Sequence, residues 1–248
     1  YAKVSELTLT KAVNDDTKEV VAEGEKDAEM AKFTVTTTIP SYSDAYGEGL
    51  TFTIKDELNA GLRYATAAPV VQVGDATLAN GTEYTYAPAA DNKSFEIIFS
   101  KDYLRGLAAA GTNRNVVITY GAYATAEATV ATPGVNTVTL EYSTSQETTT
   151  TTSPKSEKVY TFDITGAVKK VKEDGQTALP GATFTLYRGY NSTTKTLSDK
   201  VADYTTTDNG AIVFSGLGAL ESGQTEGTGT YYLKETAAPA TYTINDTV

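Results

Sequence analysis

The sequence predicts an all-β protein made of two β-rich domains in tandem, and three observations carry that reading. Apolar and polar residues alternate in short runs that end at Gly, Pro, Asn or Asp, as half-buried strands and tight turns require. The composition leans on Thr, Val, Ala and Tyr, with 20 glycines spread along the chain and a single Met, which suits strands and turns. Between the two halves, Ser143 to Ser156 carries a threonine run and Pro154 without apolar periodicity, the composition of a linker. The expected division is a first domain over 1–145, a linker over 146–157 and a second domain over 158–248.

At 248 residues the chain is long enough for two domains, each with its own core. A net charge of −11 argues against nucleic acid or an anionic membrane surface as a partner. Cysteine and histidine are both absent, so no disulfide or zinc–thiolate site exists, and conventional Ser-His or Cys-His catalysis is excluded. No cofactor or metal site is expected. No run is apolar and long enough to span a membrane and no signal peptide opens the chain. An exported protein with this sequence is then expected to be a piece of something longer.

In order, Val4 to Val13 reads as a strand with Leu7, Leu9, Lys11 and Val13 on one face. Taken alone, Lys11 there is best read as an edge-strand lysine reaching for water. Asn14 to Ala31 is a charged, irregular connection, and Lys32 to Ile39 alternates again up to Pro40. After a polar loop over Ser41 to Gly49, Phe52, Ile54, Asp56 and Leu58 share a face, which puts an acid on an apolar side. Val70 to Val73 and Glu83 to Tyr86 suggest short strands around an Asn80-Gly81 turn. Ser94 to Phe99 is a further strand, and Lys101 to Ala110 has helical spacing closed by Gly111. Asn115 to Tyr123 and Asn136 to Tyr142 complete the first half, with Asn136, Val138, Leu140 and Tyr142 in phase. Three polar residues of complementary chemistry, Lys11, Asp56 and Asn136, thus lie in register with apolar neighbours on three strands.

The second half opens on Val159 to Val171, with Tyr160, Phe162, Ile164, Val168 and Lys170 in phase; Lys169 is the neighbouring alternative. Gly175 turns the chain before Leu179 to Leu186, and Thr207 to Gly210 precedes another strand over Ala211 to Phe214. In Tyr231-Tyr232-Leu233-Lys234-Glu235-Thr236-Ala237-Ala238-Pro239, the residues Tyr231, Leu233 and Glu235 share a face, so a second carboxylate points coreward. A buried carboxylate must find a partner or stay protonated. Its plain structural reading is a hydrogen bond to backbone.

The stretch Tyr231 to Tyr242 resembles the E-box, Tyr-x-Leu-x-Glu-Thr-x-Ala-Pro-x-Gly-Tyr, of CnaB-type immunoglobulin-like domains in Gram-positive pilins and adhesins, with Thr241 in place of the glycine. Leu179-Pro180-Gly181-Ala182-Thr183-Phe184-Thr185-Leu186 is similar to the Leu-x-Gly-Ala-x-Phe-x-Leu strand of the same domains. In the first half, Asp56-Glu57-Leu58-Asn59-Ala60-Gly61-Leu62 and Asn136 to Tyr142 resemble the CnaA-type middle domain of sortase-assembled backbone pilins. The resemblance implies two immunoglobulin-like β-sandwiches, CnaA-like then CnaB-like, with a short helix in the first. It also implies a Lys11–Asn136 isopeptide bond assisted by Asp56, and Lys170 as the bonding lysine of the second domain, assisted by Glu235. The second domain's asparagine is expected beyond Val248, in a last strand that the sequence lacks; Asn245 is the candidate within it. Lys172 stands where the family has an aspartate.

Such a bond needs a neutral amine, a polarised carboxamide and a group that moves protons. Burial lowers a lysine's pKa and raises an acid's, so that the acid can hold the proton and hydrogen-bond the asparagine carbonyl. The reaction runs once and expels ammonia, so no enzyme activity is expected. The tie closes a long loop as a disulfide would, but resists reduction. The family likeness implies the shaft subunit of a cell-wall-anchored surface pilus. Its partners would be sortase, neighbouring subunits and a host matrix protein or glycan, with Lys3 as the inter-subunit linking residue. The alternative is a stalk or ligand-binding module of a monomeric adhesin.

Overall fold

The computed structural model describes residues 4–20, 24–109, 111–218 and 230–248. It divides into two compact units, Tyr1–Thr161 and Phe162–Val248.

The first unit contains β1 (Thr10–Val13), β2 (Ala31–Thr38), β3 (Phe52–Leu58), β4 (Leu62–Tyr64), β5 (Val70–Val73) and β6 (Ala76–Thr77). It continues with β7 (Tyr84–Pro88), β8 (Ser94–Phe99), α1 (Lys101–Gly106), β9 (Asn115–Ala124), β10 (Gly134–Ser143), β11 (Thr149–Thr151) and β12 (Lys155–Val159). One sheet runs β1-β2-β9-β5-β6 with β4 also on β9; the other runs β11-β10-β3-β8-β7 with β12 also on β10. The alternation read from sequence is what fills the space between them. Phe33 and Val35 of β2, Ile118 of β9, Phe52 and Ile54 of β3, and Val138 and Leu140 of β10 are all at most 1% exposed and belong to one core. Burying such side chains contributes about 1.5–3 kcal/mol each.

Several expectations change. The segment 146–157 is not a free linker. β11 pairs with Glu141–Ser143 and β12 with Gly134–Val138, so both extend the sheet along the outer edge of β10. Thr152 joins the two by accepting from the Leu140 N–H and donating its own N–H to the Leu140 carbonyl. An added strand of exposed threonines is held by its backbone ladder and β-branched propensity, so it carries no apolar alternation to read. The boundary between units accordingly falls after Thr161. The first strand is short, Thr10–Val13, although Leu9 before it is buried. Val70–Val73 and Tyr84–Pro88 do not form a hairpin. They lie in different sheets, and the Asn80-Gly81 segment belongs to the crossing between them. The helix stops at Gly106; Ser100 caps it by accepting from the Tyr103 N–H at 3.3 Å.

The second unit contains β13 (Phe162–Lys169), β14 (Thr183–Asn191), β15 (Thr196–Thr205), β16 (Ala211–Leu217) and β17 (Tyr232–Ala237). β13 pairs with β16, and β14 lies between β15 and β17. Leu186, Ile212, Phe214 and Leu217 form its core, with Val168, Phe184, Tyr231 and Leu233 packed against them. The long alternation expected from Tyr160 through Lys170 is interrupted. Tyr160 belongs to the first unit, Ile164 is 42% exposed, and the register of β13 shifts between Thr165 and Lys169, around Gly166 at φ +74°.

Candidate functional site

Lys11, Asp56 and Asn136 meet between the two sheets of the first unit. The Asp-x-Leu-x-x-Gly-Leu stretch explains how. Asp56 stands opposite Val138, and Leu58 opposite Asn136, in the β3–β10 register. After β3, the Asn59 carboxamide oxygen accepts from the Gly61 N–H at 3.0 Å and the Val135 N–H at 2.9 Å, while its nitrogen donates to the Pro133 carbonyl at 3.0 Å. A Cβ on Gly61 would meet Gly134 Cα at 2.8 Å. The motif therefore clamps the start of β10 against the end of β3, and two residues later Asn136 faces the acid. From the opposite sheet, β1 lays Lys11 beside Val35 of β2.

The side chains of Lys11 and Asp56 are 0% and 1% exposed, with Nζ and Oδ2 2.7 Å apart. Asp56 Oδ1 accepts from Asn136 Nδ2 at 2.5 Å and from the Tyr64 hydroxyl at 2.7 Å. The Tyr120 hydroxyl lies 2.5 Å from Asp56 Oδ2 and 2.8 Å from Asn136 Oδ1, and also accepts from Lys11 Nζ. Lys11 and Tyr120 thus lie against one oxygen of the carboxylate, and Asn136 and Tyr64 against the other. Phe33 and Tyr120 each place a ring centroid 5.1 Å from the amine, and Phe95 packs edge-on against Tyr120 at 5.1 Å. Burial pulls the Lys11 ammonium below its ordinary value, against the opposing charge of Asp56. Burial, then the Asp56 charge, pushes the Tyr64 and Tyr120 phenols well above theirs. A lysine drawn toward its neutral form, a carboxylate and a carboxamide thus share one dry pocket, as amine attack on an amide requires.

One expectation is corrected here. The acid does not face the asparagine carbonyl. Asn136 Nδ2 also donates to the Glu57 carbonyl at 3.2 Å, and a backbone carbonyl only accepts, so the amide orientation is fixed. Asp56 meets the amide nitrogen, and the tyrosine meets the oxygen. Neither Tyr64 nor Tyr120 stands out in the sequence, because both are in phase with aliphatic neighbours (Leu62; Val116 and Ile118) and read as core.

In the second unit, Lys170 follows β13 and its Nζ lies 2.8 Å from Glu235 Oε2, with the two side chains 20% and 1% exposed. Glu235 stands opposite Phe184 of β14, and Lys170 Nζ lies 5.9 Å from the Phe184 ring centroid. Lys169 is exposed. Asn245 approaches through its backbone. Its N–H donates to Glu235 Oε2 at 2.8 Å, while its carboxamide oxygen accepts from the Thr247 N–H at 3.1 Å. Glu235 Oε1 is buried without a hydrogen-bond partner among the described residues. These side chains border a cavity of about 200 Å³. Lys3 lies outside the described residues. Among the described residues, no cluster of His, Cys, Asp or Glu is placed to hold a metal ion.

No curated protein sequence matches the chain. Residues 165–248 match the family model of the SpaA prealbumin-like fold domain. Among solved structures, the 35 kDa C-terminal fragment of the major pilin GBS80 of Streptococcus agalactiae is similar over 98% of this chain and 89% of its own, at 21% identity and TM-score 0.70. The T6 backbone pilin of serotype M6 Streptococcus pyogenes is similar over 98% of this chain but 50% of its own, at 20% identity and TM-score 0.63. The full-length major pilin SpaD of Corynebacterium diphtheriae is similar over 96% of this chain and 57% of its own, at 22% identity and TM-score 0.67. The chain thus spans about half the length of the T6 pilin and of SpaD. The second unit is thus similar to the SpaA prealbumin-like fold domain over residues 165–248, and the chain as a whole shares the all-β tandem fold of these major and backbone pilins.

Proposed function

We propose that this chain is a structural shaft subunit of a sortase-assembled pilus anchored to the cell wall, and that it cross-links itself through Lys11 and Asn136 with the help of Asp56. The observation that carries the reading is the meeting of a buried amine, a carboxylate and a carboxamide from three strands and both sheets of one sandwich. A purely structural ion pair needs no carboxamide on the same carboxylate. Binding energy from the surrounding core holds the reactants together, which replaces the entropy that a bimolecular attack would lose. The fold shared with backbone pilins points to the same role, with sortase and neighbouring subunits as partners. In the second unit, Lys170 and Glu235 are the amine and acid of an analogous site, and Asn245 offers that site a backbone N–H.

Intact-mass measurement of the purified chain tests the reading. A mass short by one ammonia is the expected result. A shortfall of two would add a reaction in the second unit, and the full calculated mass would remove the cross-link and with it the reason to assign these residues a chemical role.

A further inference from the structure

Resting on the reading that the Lys11–Asn136 bond forms, we propose that Tyr120 is a catalytic residue of that reaction: its hydroxyl polarises the Asn136 carbonyl, leaving Asp56 to carry the proton between the two nitrogens. The division follows from which atom faces which. The Glu57 carbonyl fixes Asn136 with Nδ2 toward Asp56 Oδ1 and Oδ1 toward the Tyr120 hydroxyl, 2.8 Å away. Asp56 then touches the attacking nitrogen with Oδ2 and the leaving nitrogen with Oδ1, at 2.7 and 2.5 Å. No hydrogen bond joins it to the carbonyl oxygen, where negative charge builds as the amine adds. Tyr120 is the donor at that oxygen.

The hydroxyl has one hydrogen and several neighbours, so it gives that hydrogen to one acceptor at a time. Given to Asn136 Oδ1, it leaves the phenol oxygen free to accept from Lys11 Nζ. The same group then aims the amine and withdraws charge from the carbonyl. The ring is already fixed, stacked on Phe33 at 5.7 Å and edge-on to Phe95 at 5.1 Å, so little reorganisation is needed when charge appears. Burial also keeps the phenol protonated, and therefore a donor, far above neutral pH.

The step balances. The Nζ lone pair of the neutral amine forms a bond to Asn136 Cγ, and the carbonyl π pair moves onto Oδ1, held by the Tyr120 hydrogen bond. Nζ gives a proton to Asp56 at Oδ2, and that same proton passes from the carboxyl group to Nδ2. The pair on Oδ1 restores the carbonyl as the Cγ–Nδ2 bond breaks and ammonia leaves. One C–N bond forms and one breaks, nothing is oxidised or reduced, and Asp56 ends as it began.

The test follows ammonia loss by intact mass in full chain made by cell-free synthesis, because the reaction then starts from unreacted protein. Tyr120→Phe keeps the ring and should slow ammonia loss about 10²–10³-fold, the usual cost of losing one oxyanion donor. Tyr64→Phe, which removes a donor to Asp56 alone, should slow it far less. A folded Tyr120→Phe chain that reacts at the parent's rate overturns the role of Tyr120 while the cross-link stands. A parent that keeps its full calculated mass overturns the cross-link itself. If Tyr120→Phe does not fold, difluorotyrosine placed at position 120 serves instead. Its two ring fluorines, little larger than the hydrogens they replace, make the hydroxyl a stronger donor, so a faster reaction supports the role and an unchanged or slower one overturns it.

Discussion

Lys11 decides more than any other residue whether the first unit is a plain sandwich or a reactive one. An edge-strand lysine normally carries its ammonium to water, but this side chain is fully buried against Asp56. A buried ion pair is weak evidence for stability, since desolvation offsets the attraction. Its chemistry is more informative. Burial holds the Lys11 ammonium below its ordinary 10.5, so between that lowered value and 10.5 the unfolded chain binds more protons than the folded one. Stability therefore rises with pH across the window. In Asn136→Ala, where no bond can form, stability relative to Lys11→Met/Asn136→Ala should climb as pH rises toward 10.5, read by urea unfolding at each pH. A flat difference would place the amine in a solvated setting. Asp56 and Asn136 were legible because each breaks an apolar alternation with a polar side chain. Tyr120 was not, since a tyrosine among Val116 and Ile118 breaks nothing.

At the scale of elements, the turn after β3 and the start of β10 act as one clamp. Asn59 holds both sides with its carboxamide, and Gly61 lets Gly134 approach closer than any side chain would allow. Gly61→Ala pushes a Cβ onto backbone that cannot rotate away. In the Asn136→Ala background it should lower the urea-unfolding free energy by about 1–3 kcal/mol, as overpacking does. With Asn136 present it should also slow ammonia loss by displacing the carboxamide. An unchanged unfolding curve would mean that β10 has room to move. β11 and β12 support the same strand from its other edge, which makes β10 an interior strand. Their sequence, Thr149 to Val159, shows threonine and charge where an amphipathic strand would show alternation. Ladder hydrogen bonds leave no mark on side-chain pattern.

At the scale of the whole chain, a Lys11–Asn136 bond ties β1 of one sheet to β10 of the other and closes a loop on the order of a hundred residues. By analogy with disulfides of that span, it should stabilise the unit by about 4–5 kcal/mol through the unfolded state. Lys11→Ala removes the bond together with the buried amine. The transition of the first unit should then move to lower urea and lower temperature, and limited proteolysis should cut it faster. A variant that unfolds with the parent while the parent's mass is short of one ammonia would show that the tie bears no load in equilibrium stability.

The amino-acid sequence by itself determined the all-β class, most strand positions, and the three polar residues placed on apolar faces, because strand periodicity and motif spacing are local properties of the chain. Only the tertiary structure decided that those three faces meet at one point between two sheets. It alone placed two tyrosines on the same carboxylate and turned the Asn136 oxygen away from the acid. It also folded the expected linker into edge strands. Convergence of side chains from separate strands depends on register and sheet packing, and amide orientation depends on a backbone carbonyl brought near by another strand; neither is written in the local pattern of any one strand.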